Sequence, residues 1–254
     1  MSCAIHATDL RFRYPNGVTG LEGLDLRVTH GERVAVLGPN GAGKTTLMLH
    51  LNGLLRGDGE LDVAGIADVR ELRAAVGLVF QDPDDQLFMP TVREDVAFGP
   101  LNLGLSKTEV EERVQHALTT VRMADHADRA PHQLSMGERR RVAIATVLAM
   151  RPSLLVLDEP SANLDPRARR ELLEVLDEID RTMLVVTHDL PFAARLCERA
   201  VILSGGRIVA DGPCADVLAD EDLLAAHDLE LPAGFDLERV ERRPRPGEPA
   251  MACG

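Results

Sequence analysis

The feature that most constrains this chain is a glycine-rich loop between a buried strand and a helix. Residues 33–37 read RVAVL, a continuous run typical of a strand covered on both faces. Residues 38–45 follow as GPNGAGKT and match the pattern G-x-x-x-x-G-K-[ST], with a helix expected over about residues 43–54. Glycines let successive backbone N–H groups turn inward, and the helix points its positive dipole end at the same place. The segment therefore predicts a phosphate-binding site.

Two side chains of this loop are suited to phosphate chemistry. Lys44 can reach the terminal phosphate oxygens of a nucleotide, and Thr45 can offer its hydroxyl to Mg²⁺. An accidental glycine-rich turn is the alternative interpretation. We disfavour it because lysine occurs only twice in the chain, as Lys44 and Lys107, and because the flanking strand and helix are in the correct order.

A second acidic element ends another apolar strand. Residues 154–157 are LLVL, and Asp158 and Glu159 follow directly. Ligands of open α/β sheets bind at the carboxyl ends of the strands. We expect Asp158 to hold Mg²⁺ and Glu159 to polarise an attacking water molecule. Alone, the pair is equally consistent with solvated acids at a strand end, but together with the phosphate loop it predicts nucleotide hydrolysis.

Strand–helix alternation brackets a helical stretch and predicts an α/β fold. We expect an antiparallel β part, a core with a parallel sheet, and a helical subdomain at about residues 91–150. Capping-box patterns at Thr91, Ser106 and Ser135 predict three helix starts in that subdomain. The expected strands are residues 8–14, 24–28, 33–37, 61–63, 76–80, 154–157, 183–187, 200–203 and 207–210. The expected later helices are residues 166–179, 191–197 and 215–227.

Composition bounds the cellular setting. The net charge of −13 argues against a general nucleic-acid binder, which needs a basic surface. The apolar runs are too short to cross a bilayer and the N-terminus has no signal-peptide pattern, so we expect a cytoplasmic location unless a partner holds the chain at a membrane. The four cysteines show no zinc spacing and are expected as free thiols. The segment from Leu231 is rich in proline and charge, which predicts a flexible tail.

A second candidate anion site opens the helix after residue 135. Residues 134–138 read LSMGE, and the serine cap and the glycine leave backbone N–H groups exposed at a helix start. A chain that binds one phosphate tail does not need two such sites. Two copies arranged head to tail do, because the second site of one copy covers the terminal phosphate bound to the other.

These elements together resemble the ATP-binding-cassette (ABC) family over roughly residues 1–227. The resemblance implies that Tyr14 stacks on adenine, that Gln81 touches Mg²⁺ and the attacking water, and that His188 is the switch histidine. Residues 161–165 resemble the D-loop, and residues 134–138 the signature motif. The implied residues for binding ATP are Tyr14, Gly38, Pro39, Asn40, Gly41, Ala42, Gly43, Lys44, Thr45, Thr46, Ser135, Gly137 and Glu138. The implied Mg²⁺ ligands are Thr45, Gln81 and Asp158, and the implied catalytic residues are Glu159, His188 and Gln81.

The signature motif departs from the family at one position. Met136 stands where the family usually has glycine, whereas Ser135 and Gly137 are kept. Glu138 in place of glutamine is a common variation in the family. From the extent of the resemblance and the composition of the last residues, we interpret residues 1–230 as the ATP-binding domain and residues 231–254 as the tail.

The segment after Gln81 narrows the resemblance. Residues 82–88 (DPDDQLF) and 91–100 (TVREDVAFGP) are similar to the ATPases of energy-coupling-factor importers, and the cobalt/nickel branch fits best. This implies a peripheral subunit at the cytoplasmic face of the membrane, with a transmembrane coupling subunit and a substrate-binding membrane subunit as partners. The ATPase pairs with a second copy or with a paralogue. In that family Gln86 lies in a short helix lining the groove that receives the membrane subunit.

Three other functions compete with this reading. An ATPase of the same type for vitamin uptake would share every motif. A non-transport cassette of DNA repair or translation would carry coiled-coil insertions or two cassettes, whereas residues 81–134 are compact and one signature is present. A P-loop kinase for small molecules would not need the signature, the D-loop or the switch histidine.

Overall fold

The fold combines two sheets with a set of helices. A computed structural model describes residues 3–240, and the statements below concern that part of the chain. The strands are β1 (Cys3–Arg13), β2 (Thr19–Thr29), β3 (Arg33–Leu37), β4 (Asp58–Val63), β5 (Val76–Val79), β6 (Leu154–Asp158), β7 (Thr182–Val186), β8 (Arg199–Ser204) and β9 (Arg207–Pro213). The helices are α1 (Lys44–Leu51), α2 (Val69–Ala75), α3 (Val92–Asn102), α4 (Lys107–Thr120), α5 (Met136–Leu148), α6 (Pro166–Glu178), α7 (Leu190–Leu196), α8 (Cys214–Ala219) and α9 (Glu221–Ala226).

The larger sheet provides the frame for the site. Its strand order is β5-β6-β7-β3-β8-β9, and all neighbouring pairs are parallel except β8 with β9. The smaller sheet, in the order β2-β1-β4, is antiparallel. The predicted α/β P-loop core with an antiparallel β part and helical segments is confirmed.

The core lies on both faces of the large sheet. Along β3, Val34 and Val36 belong to a cluster shared with the small sheet and α1, whereas Ala35 and Leu37 belong to a cluster shared with α5, α6 and α7. This alternation follows from the twofold period of side chains along a strand. It explains why β3 reads as a continuous apolar run rather than as an alternating one.

The three predicted helix starts of the helical subdomain are confirmed. Thr91, Ser106 and Ser135 each accept a hydrogen bond from the backbone N–H three residues later, and a glutamate at that position bonds back to the cap. The helices that they start, α3, α4 and α5, pack on one another. The cap chemistry therefore fixes where each helix of this subdomain begins.

Two expectations differ from the structure near the C-terminal end. The single helix expected over residues 215–227 is two helices, because Asp220 ends α8 and its side chain caps α9 by accepting from Leu223 N–H. The first ten residues of the expected tail, 231–240, place the apolar side chains of Leu231, Phe235 and Leu237 against the core. Residues 241–254, which complete the expected tail, lie outside the described residues.

Candidate functional site

The site residues follow four parallel strands at one edge of the large sheet. The loop of residues 38–43 follows β3, Gln81 follows β5 closely, Glu159 follows β6, and His188 follows β7. Because these strands are parallel, their carboxyl ends meet at the same edge, where open α/β sheets bind ligands. They border a cleft of about 770 Å³.

The glycine-rich loop wraps the start of α1. Gly43 has φ +108°, and a Cβ there would lie 2.3 Å from the carbonyl oxygen of Gly20, so only glycine fits. Lys44 begins α1, and its Nζ donates to the carbonyl oxygens of Gly38 at 2.6 Å and Pro39 at 2.9 Å. Burial lowers the pKa of Lys44, although Glu159 and Asp158 act in the opposite direction. The lysine is thus a positive charge held over the loop.

The rim of the cleft carries the aromatic residue expected for adenine. Tyr14 lines the cleft, and its hydroxyl lies 2.9 Å from Thr46 Oγ1 on α1. Phe12 packs edge-on against the Tyr14 ring, with centroids 4.9 Å apart. The cleft is also lined by all the other residues expected at the phosphate loop and for catalysis: Gly38, Pro39, Asn40, Gly41, Ala42, Gly43, Lys44, Thr45, Thr46, Gln81, Asp158, Glu159 and His188.

The three expected metal ligands offer oxygen donors to the same cleft. Thr45, Gln81 and Asp158 supply a hydroxyl, an amide and a carboxylate, which are the hard donors that Mg²⁺ prefers. Within residues 3–240 no group of three His, Cys, Asp or Glu side chains forms a cage for a metal ion. The donor set therefore fits Mg²⁺ held jointly by few protein oxygens, phosphates and water. Burial and the neighbouring Glu159 raise the pKa of Asp158, while Lys44 and Arg140 oppose that shift.

Glu159 is fixed by donors from the segment that follows β7. Its own backbone is in the left-handed region, at φ +43°, and its N–H donates to Val186 O. Its carboxylate accepts from Thr187 Oγ1 at 3.0 Å, from His188 N–H at 3.1 Å and from His188 Nδ1 at 2.8 Å. Three donors thus orient the Glu159 carboxylate at the cleft, and one of them is the exposed ring of His188.

Asp189 joins the D-loop to the same segment. It accepts from Ser161 Oγ at 2.8 Å, from Arg169 on α6 and from Phe192 N–H. Sequence reasoning named neither Asp189 nor Thr187 as a site residue. The only sequence signal for them was their position beside His188, because their bonds depend on how β6 and β7 pair.

The signature segment lies at a separate pocket. Ser135 caps α5, and its Oγ donates to Glu138 Oε2 at 2.8 Å while accepting from Glu138 N–H. The backbone N–H of Ser135 also donates to Glu138, which lowers the pKa of that carboxyl. Ser135, Gly137 and Glu138 border a pocket of about 700 Å³ whose wall includes four arginines, and its lining in the described residues shares none with the first cleft.

The comparison with known proteins decides the family. Residues 21–162, more than half of the chain, match the family model described as ABC transporter. A Streptomyces coelicolor protein, whose name places it among ABC transporter ATP-binding proteins, is 60% identical over 242 residues, 93% of each chain. The chain belongs to the ABC transporter ATPases. It is therefore an ATP-binding enzyme whose hydrolysis of ATP is coupled to transport.

Two further relatives of this ABC ATPase carry more detailed descriptions. The energy-coupling factor transporter ATP-binding protein EcfA of Methanothermobacter thermautotrophicus is 46% identical, over 92% of this chain and 78% of its own. The structure of cbiO1 from Clostridium perfringens, part of the ABC transporter complex cbiONQ, has a TM-score of 0.80 and 34% identity. That likeness covers 89% of this chain and 94% of cbiO1. In the described part of the chain, no helix combines the length and the apolar character of a membrane span.

The structure gives the surroundings of two further residues of the ABC resemblance, Gln86 and Met136. The partly buried Gln86 side chain makes hydrogen bonds within its own chain. It donates to Ala143 O and Thr146 Oγ1 on α5, both at 2.8 Å, and lies 3.3 Å from Phe80 N–H, which donates to it. The amide nitrogen and the amide oxygen of Gln86 therefore both have hydrogen-bond partners within the chain. Met136 lines a smaller pocket together with Gln81 and Asp158, between the signature and the first cleft.

Proposed function

We propose that this chain is the ATP-hydrolysing subunit of an energy-coupling-factor importer for a transition-metal ion, cobalt or nickel. The observation that carries the proposal is an exposed apolar surface beside the Gln81 segment, within the residues that resemble those importers. The likeness to EcfA and to cbiO1 supports the importer type. The resemblance of residues 82–88 and 91–100 supports the metal branch.

The functional unit is a head-to-tail pair of copies, or one copy with a paralogue. The cleft with Lys44 and the pocket with Ser135 lie apart in one chain, which is what a shared site requires. Lys44 binds the terminal phosphates, Tyr14 stacks on adenine, and the α5 N-terminus of the second copy covers the γ-phosphate. The ATP-binding cassette MJ0796, which was solved as a dimer bound to ADP and phosphate, supports the pairing of two copies. Its structure has a TM-score of 0.71 with this chain, at 28% sequence identity.

Hydrolysis uses the residues held at the carboxyl ends of β6 and β7. Glu159 orients and polarises the attacking water, and His188 keeps the Glu159 carboxylate in place and contacts the terminal phosphate. Mg²⁺, when bound, neutralises the charge that develops on the phosphates, and Thr45, Gln81 and Asp158 are the residues that hold it. Gln81 lines both the cleft and the pocket beside Met136. Closure of the two copies on the nucleotide therefore moves the Gln81 side chain.

The surface for the membrane partner lies on the helical subdomain. Phe88 is 63% and Phe98 43% exposed, and their rings meet edge to face at 5.0 Å. Leu101, near the end of α3, and Leu103, directly after it, are further exposed apolar side chains of this subdomain. Asp95 fixes the shape of this apolar surface by accepting from the backbone N–H groups of Phe88 and Met89. Exposed apolar patches of this kind mark interaction sites, and a helix of a transmembrane coupling subunit is the partner. This contact holds the chain at the cytoplasmic face of the membrane.

The experiment tests partner and cargo together. Affinity-tagged chain is purified from detergent-solubilised membranes of the native host, and uptake of radioactive cobalt and nickel is measured in cells with and without the gene. We expect a transmembrane coupling protein to co-purify and metal uptake to fall in the deletion strain. Uptake of both metals at the normal rate in the deletion strain contradicts the metal assignment, and vitamin uptake is then the alternative.

A variant pair tests the surface itself. Replacing Phe88 and Phe98 by serine should abolish co-purification while the isolated protein still binds ATP, because both rings lie outside the nucleotide cleft. The matched control is Val209→Ser, which removes an apolar side chain that is also 43% exposed but lies on β9. Co-purification that survives loss of both phenylalanines contradicts this surface.

A further inference from the structure

A buried arginine that the nucleotide motifs do not account for lies behind the cleft, between the loop of Gln81 and the turn after Glu159. Arg140 is on the second turn of α5, the helix that Ser135 caps, and it is 1% exposed. In the described part of the chain it forms no ion pair. Its guanidinium instead donates to two backbone carbonyls, Phe80 O at 2.9 Å and Ala162 O at 3.4 Å.

These two carbonyls belong to the two loops that carry catalytic side chains. Phe80 directly precedes Gln81. Ala162 closes the turn after Glu159, because its N–H donates to Glu159 O at 3.0 Å. One side chain of the signature helix thus bridges the loop of Gln81 and the loop of Glu159.

The energetics argue against a purely structural role. A buried charge without a carboxylate partner is costly, and an apolar side chain of similar size commonly packs with equal or better stability. Burial lowers the pKa of Arg140, and the attraction of Asp82 and Asp158 only partly offsets this. Arginine is suited to this place because its planar guanidinium holds several N–H donors in a rigid fork that can span carbonyls on two different loops, whereas a lysine ends in one compact ammonium group.

We propose that Arg140 is a positioning residue for ATP hydrolysis. By donating to both loops it holds the loop of Gln81 at a fixed position relative to the turn after Glu159. It acts through the two loops and not on the nucleotide directly, since it is buried and does not line the cleft. The proposal concerns hydrolysis itself and holds for any transporter that this ATPase serves.

The first test separates positioning from structural support. In the full-length protein, Arg140→Met should lower kcat about tenfold or more with KM for ATP changed by less than about twofold, because the cleft is intact but the loops lose their bridge. Arg140→Lys, which keeps the charge and reaches one carbonyl, should recover part of kcat. The control is Arg139→Met on the same helix, which removes a half-buried arginine paired with Asp84 at 3.4 Å and should leave kcat unchanged.

Two outcomes of this first test contradict the proposal. One is a folded Arg140→Met protein with wild-type kcat, whether or not its Tm falls. The other is Arg140→Lys with full kcat, which would show that the two-carbonyl bridge is not needed. The second outcome decides the matter even where Arg140→Met does not fold.

A second test asks whether Arg140 acts through Gln81. If it does, adding Arg140→Lys to Gln81→Ala should reduce kcat by less than about twofold more, because residues that act as one unit are not additive. Tyr14 lies at the other end of the cleft. When Arg140→Lys is combined with Tyr14→Ala, the fold-losses in kcat of the two single variants should therefore multiply. Multiplied losses in both pairs would overturn the assignment.

Discussion

Thr187 gives the sharpest prediction about how the carboxylate of Glu159, the proposed catalytic residue, is held. Its Oγ1 donates to Glu159 Oε2 at 3.0 Å and accepts from Asp189 N–H at 3.0 Å, and the side chain is fully buried. Thr187→Val keeps the shape and removes both bonds. A hydrogen bond to a charged group contributes about 1.5–3 kcal/mol. If about half of that is lost from the transition state, kcat falls about fourfold to twelvefold, since about 1.4 kcal/mol is one factor of ten.

The control for this substitution lies five residues earlier, at the start of β7, the strand that Thr187 directly follows. Thr182 is equally buried, and its Oγ1 accepts from Gly31 N–H at 2.9 Å, away from the cleft. Thr182→Val should therefore lower the free energy of unfolding by about 1 kcal/mol and leave kcat unchanged. Urea denaturation and steady-state ATPase assays on both variants measure these quantities. The reasoning is refuted if Thr187→Val keeps the wild-type kcat, or if Thr182→Val lowers kcat as much.

Three further substitutions test separate parts of the account. Glu159→Gln should keep ATP binding, abolish turnover and trap an ATP-bound dimer by gel filtration; turnover at the wild-type rate would refute the role of Glu159. Gly137→Ala places a Cβ 2.7 Å from Ala168 Cβ, and this overpacking of about 1–3 kcal/mol should outweigh the gain in helix propensity, so the urea midpoint and ATPase activity should both fall. Burial raises the pKa of Asp95, so folding stability falls as pH rises through the interval between its unfolded and folded pKa values. Asp95→Asn should lose that pH dependence in urea titrations, and an unchanged pH profile would contradict it.

Much of the fold was predictable because its signals are local. The capping boxes at Thr91, Ser106 and Ser135 lie within four residues of chain and determine helix starts directly. Helix α2 was not predicted, because it buries no residue and so shows no apolar periodicity. Its one signal is Asp68, which caps the helix by accepting from Arg70 N–H and Glu71 N–H.

The site was predictable where a motif is contiguous and not where contacts cross the fold. The loop of residues 38–45 carries its own geometry, so its residues line one cleft as expected. The hydrogen bonds of Gln86 were not predicted, because its amide donates to Ala143 O on α5, nearly sixty residues away in the chain. Arg140 and Thr187 were missed for the same reason: their acceptors are 60 and 28 residues distant, and no local pattern encodes such pairs.

The central claim is that one catalytic site is built from two chains, and mixing two inactive variants tests it directly. Glu159→Gln disables a cleft, and Ser135→Arg disables a signature. If the sites are shared, equal mixing gives mixed dimers with one intact site each, and about a quarter of the wild-type ATPase activity should return, since half of the randomly formed dimers are mixed. If each chain hydrolyses ATP with its own cleft and its own Ser135, the mixture stays inactive, and the account is wrong.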